Sequence, residues 1–533
     1  MADEQYWYCR GEGNTHLEEE VEIGKPCPEC GKTNVPTRGT AGRTGTLPIG
    51  KVLGGIALFA VLAGLGWYFL RPKPDVVVDP NPVPPVKPEP PKPTPTPTPT
   101  PTPSPNDDYS WQPERFTKGQ RSLFSGVSSP SIENGIEAFK QQDYQKAITH
   151  FNQAVVRNPN EPEPLILFNN AKARQQGDAL TLAVVVPVEG DVGSAKEMLR
   201  GVAMAQKEFN NSGGIGDRYL EIVIANDENK PEISEQVARQ LSTDTSILGV
   251  IGHNSSDASE AGLKIYEADR LAMISPTATS TSLQSDIFFR TSPSDAASAQ
   301  KLAQYVTEEL SLSKVVIFYN PNSNYSNSLK ENFESRYTGD IIDSIDLSEP
   351  GFSAKAEITV SVFQNEAEAA LLFPNKNFTE AAREIAMENQ AIASDQKLKL
   401  LGGDALYTAE TLRQGGTNME GLIIAVPWSR QSQTSQTFTQ AGNEQWKAAV
   451  NWRTAMSYDA TKAFISAFSN SNNTRSSVLE NLRQIKLTPN ETSGIDLQFT
   501  AQGERQSEAV LVEVSRDATE KPQGSEFGFK LLE

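Results

Sequence analysis

The chain has 533 residues, enough for several domains of ordinary size, and a formal net charge of −19. Phosphate recognition needs a clustered basic surface, so this acidic balance argues against a nucleic-acid partner. The 3 cysteines, Cys9, Cys27 and Cys30, all precede the most apolar segment of the chain. A disulfide framework is therefore excluded for the large C-terminal part.

The first predicted element is a zinc-ribbon-like segment over residues 1–48. Cys27 and Cys30, in the motif CPECG, place two thiolates at a spacing that can hold one edge of a tetrahedral Zn²⁺. Cys9 and His16 are the candidates for the remaining ligands, because no second C-x-x-C motif exists. The knuckle resembles a degenerate zinc ribbon with one structural zinc ion. A vestigial, metal-free or redox-active knuckle is the alternative interpretation.

Residues 49–71 contain the uncharged run VLGGIALFAVLAGLGWYFL, from Val52 to Leu70. As a helix this run is ~28 Å long, close to the ~30 Å hydrocarbon core of a bilayer. Trp67 and Tyr68 stand at one end, where interfacial aromatic residues belong. The pattern predicts one transmembrane helix that acts as a signal anchor, and a buried core helix is the alternative.

Basic residues flank this span on both sides, so the positive-inside rule barely decides its orientation. A C-x-x-C motif suits a reducing compartment, whereas a cysteine-free domain suits an exported one. We therefore expect a single-pass protein of the inner or plasma membrane. Its N-terminus is predicted to be cytoplasmic, and its C-terminal domain periplasmic or extracellular.

Residues 72–108 are predicted to form an extended linker. Pro72–Pro105 holds 16 of the 35 prolines of the chain. Proline fixes φ and removes an amide donor, so this stretch favours a polyproline II conformation that reaches up to ~100 Å. It is interpreted either as a stalk that lifts the following domain off the membrane or as a passive separator.

Residues 125–177 are predicted to form a helical module. The text GIEAFKQQDYQKAITHFNQAVVRNPN resembles one tetratricopeptide repeat, with small residues and one proline at the expected offsets. These positions are Gly135, Ala147, Phe151, Ala154 and Pro159. A single repeat cannot bury its own apolar face, so either residues upstream add helices or the hairpin docks on a neighbour. A peptide-binding groove is the alternative to a packing or partner-docking module.

From Leu180 onward, short apolar runs alternate with amphipathic stretches. LTLAVVVP (180–187) is a continuous run typical of a strand buried on both faces, and Ser194–Asn210 then shows helical spacing. Seven further runs follow: LEIVIAND, SILGVIG, LAMIS, KVVIFY, EAALLF, KLKLLG and GLIIAVP. This alternation predicts βαβ units with open parallel sheets. Residues 178–533 are too many to pack around a single hydrophobic core, so two α/β lobes are expected.

Two stretches of this region carry a family resemblance: FNNSGGIGDRYLEIVIANDE (209–228) and GHNSSDASEAGLKIYEADRLAMISPTATSTSLQSDIFFRTSPSD (252–295). They look like the leucine/isoleucine/valine-binding protein group of type I periplasmic binding proteins, over about residues 180–515. The resemblance implies two Rossmann-like lobes joined at a hinge. The chain is expected to cross between them near Asp295, near Pro427 and in the last hundred residues.

Lobe 1 is expected to hold about 180–297 and 428–500, and lobe 2 about 298–427 and the C-terminal part. Ligands in open α/β sheets bind beyond the carboxyl ends of the strands. Ser255 and Ser256 follow one such strand and should open a helix, whose N-terminus suits a carboxylate.

The resemblance assigns the ligand carboxylate to Ser256, and Ala278 and Thr279 match family positions that bind the same part of the ligand. Ordinary helix caps are the alternative interpretation of these stretches. Tyr325 aligns with a family tyrosine that covers the ligand. Asp404 stands where the family carries an acid, usually Glu, that receives the α-ammonium through charge-assisted hydrogen bonds. A plain loop acid is the alternative for Asp404.

The chain departs from the family at the predicted pocket mouth. Gly193, Ser194 and Ala195 stand where family members often hold an aromatic residue, and the segment 375–377 (NKN) replaces small or aromatic residues. The ligand's side-chain pocket is therefore predicted to be larger or more polar, and a branched aliphatic ligand does not follow.

His253 is expected to be a packed loop residue, because the chain has only 3 histidines and no motif suggests a catalytic triad. No phosphate-binding glycine motif occurs after a strand either. We therefore expect a non-enzymatic protein with no cofactor in its large domain. The leading hypothesis is capture of an amino acid or similar solute by hinge closure, for an ABC-type permease. A ligand sensor, or a scaffold that regulates cell-wall synthesis, is the alternative.

Overall fold

The computed structural model describes residues 6–9, 19–22, 112–127, 129–469 and 473–532. The chain divides into two units, Met1–Thr102 and Pro103–Glu533. In the first unit, strands β1 (Tyr6–Cys9) and β2 (Glu19–Glu22) form an antiparallel pair.

Several predictions fall outside the described residues. They are three of the predicted zinc ligands (His16, Cys27 and Cys30), the predicted membrane span (52–70) and the whole predicted linker (72–108). Of the helices that are described, none has the length and apolar character needed to cross a bilayer. The same residues contain no cluster of three or more His, Cys, Asp or Glu side chains suited to a metal ion. The zinc and membrane predictions stay predictions.

The second unit begins with the short strand β3 (Phe116–Thr117) and three helices: α1 (Pro130–Lys140), α2 (Tyr144–Arg157) and α3 (Pro162–Gln176). Helices α1 and α2 form a hairpin closed around the buried Phe151. A Cβ atom at Gly135 would lie only 2.6 Å from that ring, so glycine permits the close approach. Leu167 and Ala171 of α3 complete the apolar cluster. The hairpin therefore docks on a neighbouring helix, while the described residues upstream contribute only short 3₁₀ turns and β3.

Lobe 1 follows as alternating strands and helices. They are β4 (Leu180–Val186), α4 (Val192–Asn211), β5 (Leu220–Asn226), α5 (Pro231–Thr243), β6 (Ile247–Ile251), α6 (Ser256–Tyr266), β7 (Met273–Ser275) and β8 (Phe288–Arg290). The sheet order is β3-β5-β4-β6-β7-β8, parallel except for β3. Strands β4, β5 and β6 are buried along their whole length, as their continuous apolar text predicts.

Lobe 2 repeats this pattern. Its elements are α7 (Asp295–Gln304), β9 (Lys314–Tyr319), α8 (Asn324–Glu334), β10 (Asp340–Asp346), α9 (Ala354–Phe363), β11 (Ala369–Phe373), α10 (Thr379–Gln390), β12 (Lys399–Gly402), α11 (Ala409–Gly415) and β13 (Ile423–Val426). The chain then returns to lobe 1 for α12 (Gln436–Trp446), α13 (Trp452–Ala467) and α14 (Arg475–Leu482). It ends in lobe 2 with β14 (Val510–Ser515) and β15 (Gly528–Leu531), which complete the order β10-β9-β11-β12-β13-β14-β15.

The chain crosses between the lobes three times, where the resemblance places the crossings. The first lies between β8 and Asp295, the second at Pro427, and the third between Phe499 in the lobe 1 core and β14. A fully buried ion pair, Asp459 with Arg505 at 2.7 Å, holds this hinge region. Arg505 also donates to the Thr291 carbonyl at 3.1 Å, which ties the third crossing to the first.

Helix α3 and strand β3 are built onto lobe 1. The Asn170 side-chain oxygen accepts the Ile222 N–H at 2.9 Å, and the side-chain nitrogen donates to the Ile222 carbonyl at 2.7 Å. The side chain therefore makes the two hydrogen bonds to β5 that a neighbouring strand would make. Arg174 adds an ion pair with the buried Glu221. Residues 112–177 therefore complete lobe 1, although the sequence suggested a separate module that ends at 177.

This packing predicts that Asn170→Ala destabilises lobe 1. The change leaves two buried backbone groups of Ile222 unpaired, and we expect the free energy of unfolding to fall by about 2–3 kcal/mol. Urea denaturation of the full chain measures this difference. Asn152→Ala, on the exposed face of α2, is the matched control and should change stability by less than about 0.5 kcal/mol. Equal effects of the two variants would contradict the assigned role of Asn170.

Candidate functional site

The carboxyl ends of the parallel strands in the two lobes face one cleft. From lobe 1, β6 leads into the N-terminus of α6 and β7 leads into the loop that contains Thr279. From lobe 2, β9 leads to Tyr325 and β12 leads to Asp404. Edges of this kind are where open α/β sheets bind ligands.

Helix α6 presents its N-terminus to the cleft. The Ser255 hydroxyl caps the helix by accepting the Ala258 N–H at 3.2 Å, so this side chain serves the helix. Ser256 is the first helical residue and is almost fully buried, and its hydroxyl accepts the Ser280 N–H at 3.3 Å. The backbone N–H groups of such a first turn have no partner within the helix and attract an anion.

The loop after β7 carries Ala278 and Thr279. The Ala278 N–H donates to the Ser275 hydroxyl at 3.0 Å, and its carbonyl accepts from Arg290 at 3.2 Å. The Ala278 N–H is therefore engaged within the loop, whereas its carbonyl keeps a second lone pair, and its ligand-binding role stays a prediction. The Thr279 hydroxyl is buried beside the Asp295 carboxylate.

Arg290 fixes the shape of this loop. Its fully buried guanidinium donates to the carbonyls of Ala278, Ser280 and Leu283 at 3.2, 2.9 and 3.1 Å. The Glu504 carboxylate, 3.0 Å from Nε, balances the charge. A guanidinium suits this task because its donors lie in a rigid plane. No sequence feature singled out Arg290.

Lobe 2 contributes Tyr325 and Asp404 as a pair. The Ala405 N–H donates to the Tyr325 hydroxyl at 3.3 Å, which holds the phenol against the turn that carries Asp404. Burial raises the pKa of Asp404 above its ordinary value, although the positive charge of Arg453 lowers it. Burial and the Asp404 carboxylate raise the pKa of Tyr325 well above 10, so the phenol stays protonated and can donate.

Asp295 is the site residue that sequence reasoning missed. It opens α7, its N–H donates to the Thr279 carbonyl at 2.8 Å, and its side chain is fully buried beside the hydroxyls of Thr279 and Ser328. Burial, with a smaller contribution from the Asp404 carboxylate, raises the pKa of Asp295 to about 7, although the two hydroxyls and Arg290 oppose the rise. From the sequence, the segment RTSPSD indicates only that the chain crosses between the lobes at this position. The two acids together make this end of the cleft attractive to a cation.

Polar contacts bridge the two lobes beside these residues. The Asn324 N–H donates to Asp257 Oδ1 at 3.0 Å, and the Thr281 N–H donates to the Ser328 hydroxyl at 2.9 Å. At the predicted mouth, Lys376 reaches across to Asp191 with an N–O distance of 2.6 Å. The lobes are therefore in contact, and the mouth is lined by an ion pair.

His253 is packed, as expected. Its ring is fully buried, with Nδ1 2.8 Å from Asp227 Oδ2 and Nε2 3.2 Å from the Tyr266 hydroxyl. Ser234 also donates to the same Asp227 oxygen at 3.0 Å. The contact with Asp227 has no local sequence signal, because the two residues lie 26 positions apart.

Two α/β lobes, three crossings and a polar cleft at the carboxyl strand ends define a two-lobed solute-binding fold of the type I periplasmic class. The family model described as "Periplasmic binding protein" matches residues 179–519. The chain therefore belongs to the periplasmic binding protein family.

Curated relatives are binding proteins for amino acids. The leucine-, isoleucine-, valine-, threonine- and alanine-binding protein of Pseudomonas aeruginosa is 30% identical over 135 residues, which span 25% of this chain and 36% of that protein. The leucine-specific-binding protein of Salmonella typhimurium is 26% identical over 259 residues, or 47% of this chain and 68% of that protein.

Solved structures share the fold at low identity. A substrate-binding protein of an ABC transporter from Desulfitobacterium hafniense, in complex with Leu, superposes with a TM-score of 0.55 at 22% identity and covers 67% of this chain and 100% of its own. A branched-chain amino acid transporter substrate-binding protein from Streptococcus pneumoniae, in complex with isoleucine, gives 0.56 at 18% identity, with coverages of 67% and 99%.

The Arg290 contacts predict that Arg290→Leu loosens the loop around Thr279. Three carbonyls lose a charged donor, so we expect the free energy of unfolding to fall by about 3 kcal/mol. Chemical denaturation of the full chain measures this. Arg270→Leu removes an exposed arginine that pairs with Asp286 at 3.2 Å and should cost at most about 1 kcal/mol. If Arg290→Leu costs no more than this control, the loop does not depend on the guanidinium.

Proposed function

We propose that this protein is a non-catalytic solute-binding protein whose two lobes close on a small molecule with an α-amino acid head group. The observation that carries the proposal is that two buried acids, Asp295 and Asp404, lie within range of each other near the N-terminus of α6. One half of the cleft attracts an anion and the other attracts a cation. An α-amino acid carries both charges on one carbon.

The donors and acceptors suit each charge of such a head group. The first turn of α6 and the buried hydroxyl of Thr279 provide donors for the carboxylate. Asp404, the Asp295 oxygen and the protonated Tyr325 surround the ammonium. A carboxylate and an ammonium held in this way gain charge-assisted hydrogen bonds, which are about twice as strong as neutral ones.

Closure of the lobes selects the bound state. The bridges between Asp257 and Asn324 and between Thr281 and Ser328 form only when the lobes meet. A ligand that contacts both halves shifts the population toward this closed form. Sites that depend on closure release their ligand when the lobes part.

We further propose that the protein is held at the inner or plasma membrane by the helix at 52–70, with the zinc-ribbon-like segment in the cytoplasm. The proline-rich linker and the tetratricopeptide-like helices would then precede a binding domain outside the cytoplasm. An ABC-type permease is the proposed partner, in keeping with the names of the relatives. The tie of α3 to β5 favours a packing role for the helices.

Sensing is the second candidate use of the same cleft, since a closing domain on a membrane anchor can report its ligand to a partner. A cell-wall scaffold with a non-functional cleft is less well supported. A cleft that binds nothing gives no reason to bury the two carboxylates of Asp295 and Asp404 within range of each other.

A thermal-shift screen of the full chain against amino acids and amine-free analogues tests the proposal. A ligand at 100 times its Kd should add about 2.7 kcal/mol of stability, and analogues without the ammonium should add almost none. Titration calorimetry of the best ligand should show affinity about 100-fold weaker in Asp404→Asn and about tenfold weaker in Ser256→Ala.

The matched control is Asp395→Asn, which changes an exposed acid in lobe 2 and should leave the affinity unchanged. Two results would overturn the proposal. One is equal binding of a ligand and its amine-free analogue, and the other is an affinity that survives both cleft variants.

A further inference from the structure

One arginine close to the cleft forms no ion pair with any residue that the structure describes. Arg453 lies in the first turn of α13, and its guanidinium makes no ion pair or hydrogen bond with any described residue. Its Nε is buried, and the group lies over the Trp452 ring with its Cζ 4.3 Å from the ring centroid. An unpaired buried donor of a charged group is costly unless something outside the chain satisfies it.

Contacts of the neighbouring residues place Arg453 between the lobes. Thr454 donates to Glu197 of α4 at 2.5 Å, which seats this turn of α13 against lobe 1. Burial raises the pKa of Glu197 in lobe 1 and of Asp404 in lobe 2, and the positive charge of Arg453 is among the effects that oppose this rise at each carboxyl. The guanidinium therefore lies within electrostatic range of Asp404, one of the two acids of the proposed site.

Three other cations near the cleft form ion pairs. Lys376 pairs with Asp191 at 2.6 Å, Arg200 pairs with Glu197, and Arg290 pairs with Glu504 at 3.0 Å. An amino acid head group places its own two charges at α6 and at the acid pair. Arg453 is then a cation that neither these ion pairs nor the head group satisfies.

We propose that Arg453 receives a carboxylate on the ligand's side chain, so that the protein selects acidic amino acids over neutral ones. This inference rests on the proposed function and names its substrate class. A guanidinium binds a carboxylate through paired, directional N–H donors. The polar mouth formed by Asp191 and Lys376 is consistent with a charged ligand rather than a branched aliphatic one.

Calorimetric titration of the full chain with L-glutamate, L-aspartate, L-glutamine, L-asparagine and L-leucine tests the inference. The acids should bind at least about tenfold more tightly than their amides. Arg453→Gln should weaken binding of the acids by about 10- to 100-fold and change binding of the amides by less than about threefold. Arg453→Lys, which keeps the charge, should restore part of the preference.

Arg413→Gln, at an exposed arginine of lobe 2, is the control and should preserve the preference for acids. Thermal unfolding of each variant shows that its fold is intact. Tighter binding of leucine or of the amides by the native chain overturns the acidic specificity and leaves the proposed function standing. A preference for acids that survives Arg453→Gln overturns the role of Arg453, and no binding of any amino acid overturns both proposals.

Discussion

The site depends on two carboxylates, Asp295 and Asp404, that are held near each other out of water. Each has a raised pKa, because burial disfavours the charged form and the second acid adds repulsion at Asp295. Such an arrangement is unfavourable in an empty cleft and favourable around a cation. The N-terminus of α6, by contrast, attracts an anion. The two halves together define the charge pattern of the ligand before any side-chain pocket is considered.

The scaffold holds this pattern in place through buried arginines. Arg290 fixes the loop that carries Thr279 by three carbonyl contacts, and Arg505 joins two of the crossings through Asp459 and the Thr291 carbonyl. Breaking a buried ion pair by removing one partner is strongly destabilising. The loop and the crossings are therefore rigid enough to position the site, while closure is left to contacts at the edges of the lobes.

Most strands of lobe 1 and lobe 2 could be predicted, because strands that are buried on both faces appear in the sequence as continuous apolar runs. The β4, β5, β6 and β11 runs were found within a residue or two of their ends. Strand β10 was missed, since its residues DIIDSID lie at an edge of the sheet and remain partly exposed. Strands β3, β8, β14 and β15 are short or distant in sequence from their partners, so no local pattern marks them.

The site was predictable where the sequence carries a local motif and not where the fold brings distant residues together. The resemblance assigns Ser256, Ala278, Thr279, Tyr325 and Asp404 to the site, and the structure places all five at the carboxyl ends of strands. Their ligand contacts stay predictions. Asp295 lies at the first lobe crossing and Arg453 follows the second, and periodicity contains no information about how these two segments approach the cleft.

Proton release on ligand binding tests the two-carboxylate account most directly. A bound ammonium lowers the pKa of Asp295 from about 7, so the ionised fraction must rise when the ligand binds. Calorimetric titration at pH 7 in buffers of different ionisation enthalpy should show release of about half a proton per ligand, and Asp295→Asn should abolish it. Binding of an amino acid without any proton release, or with the same release in Asp295→Asn, would contradict the account.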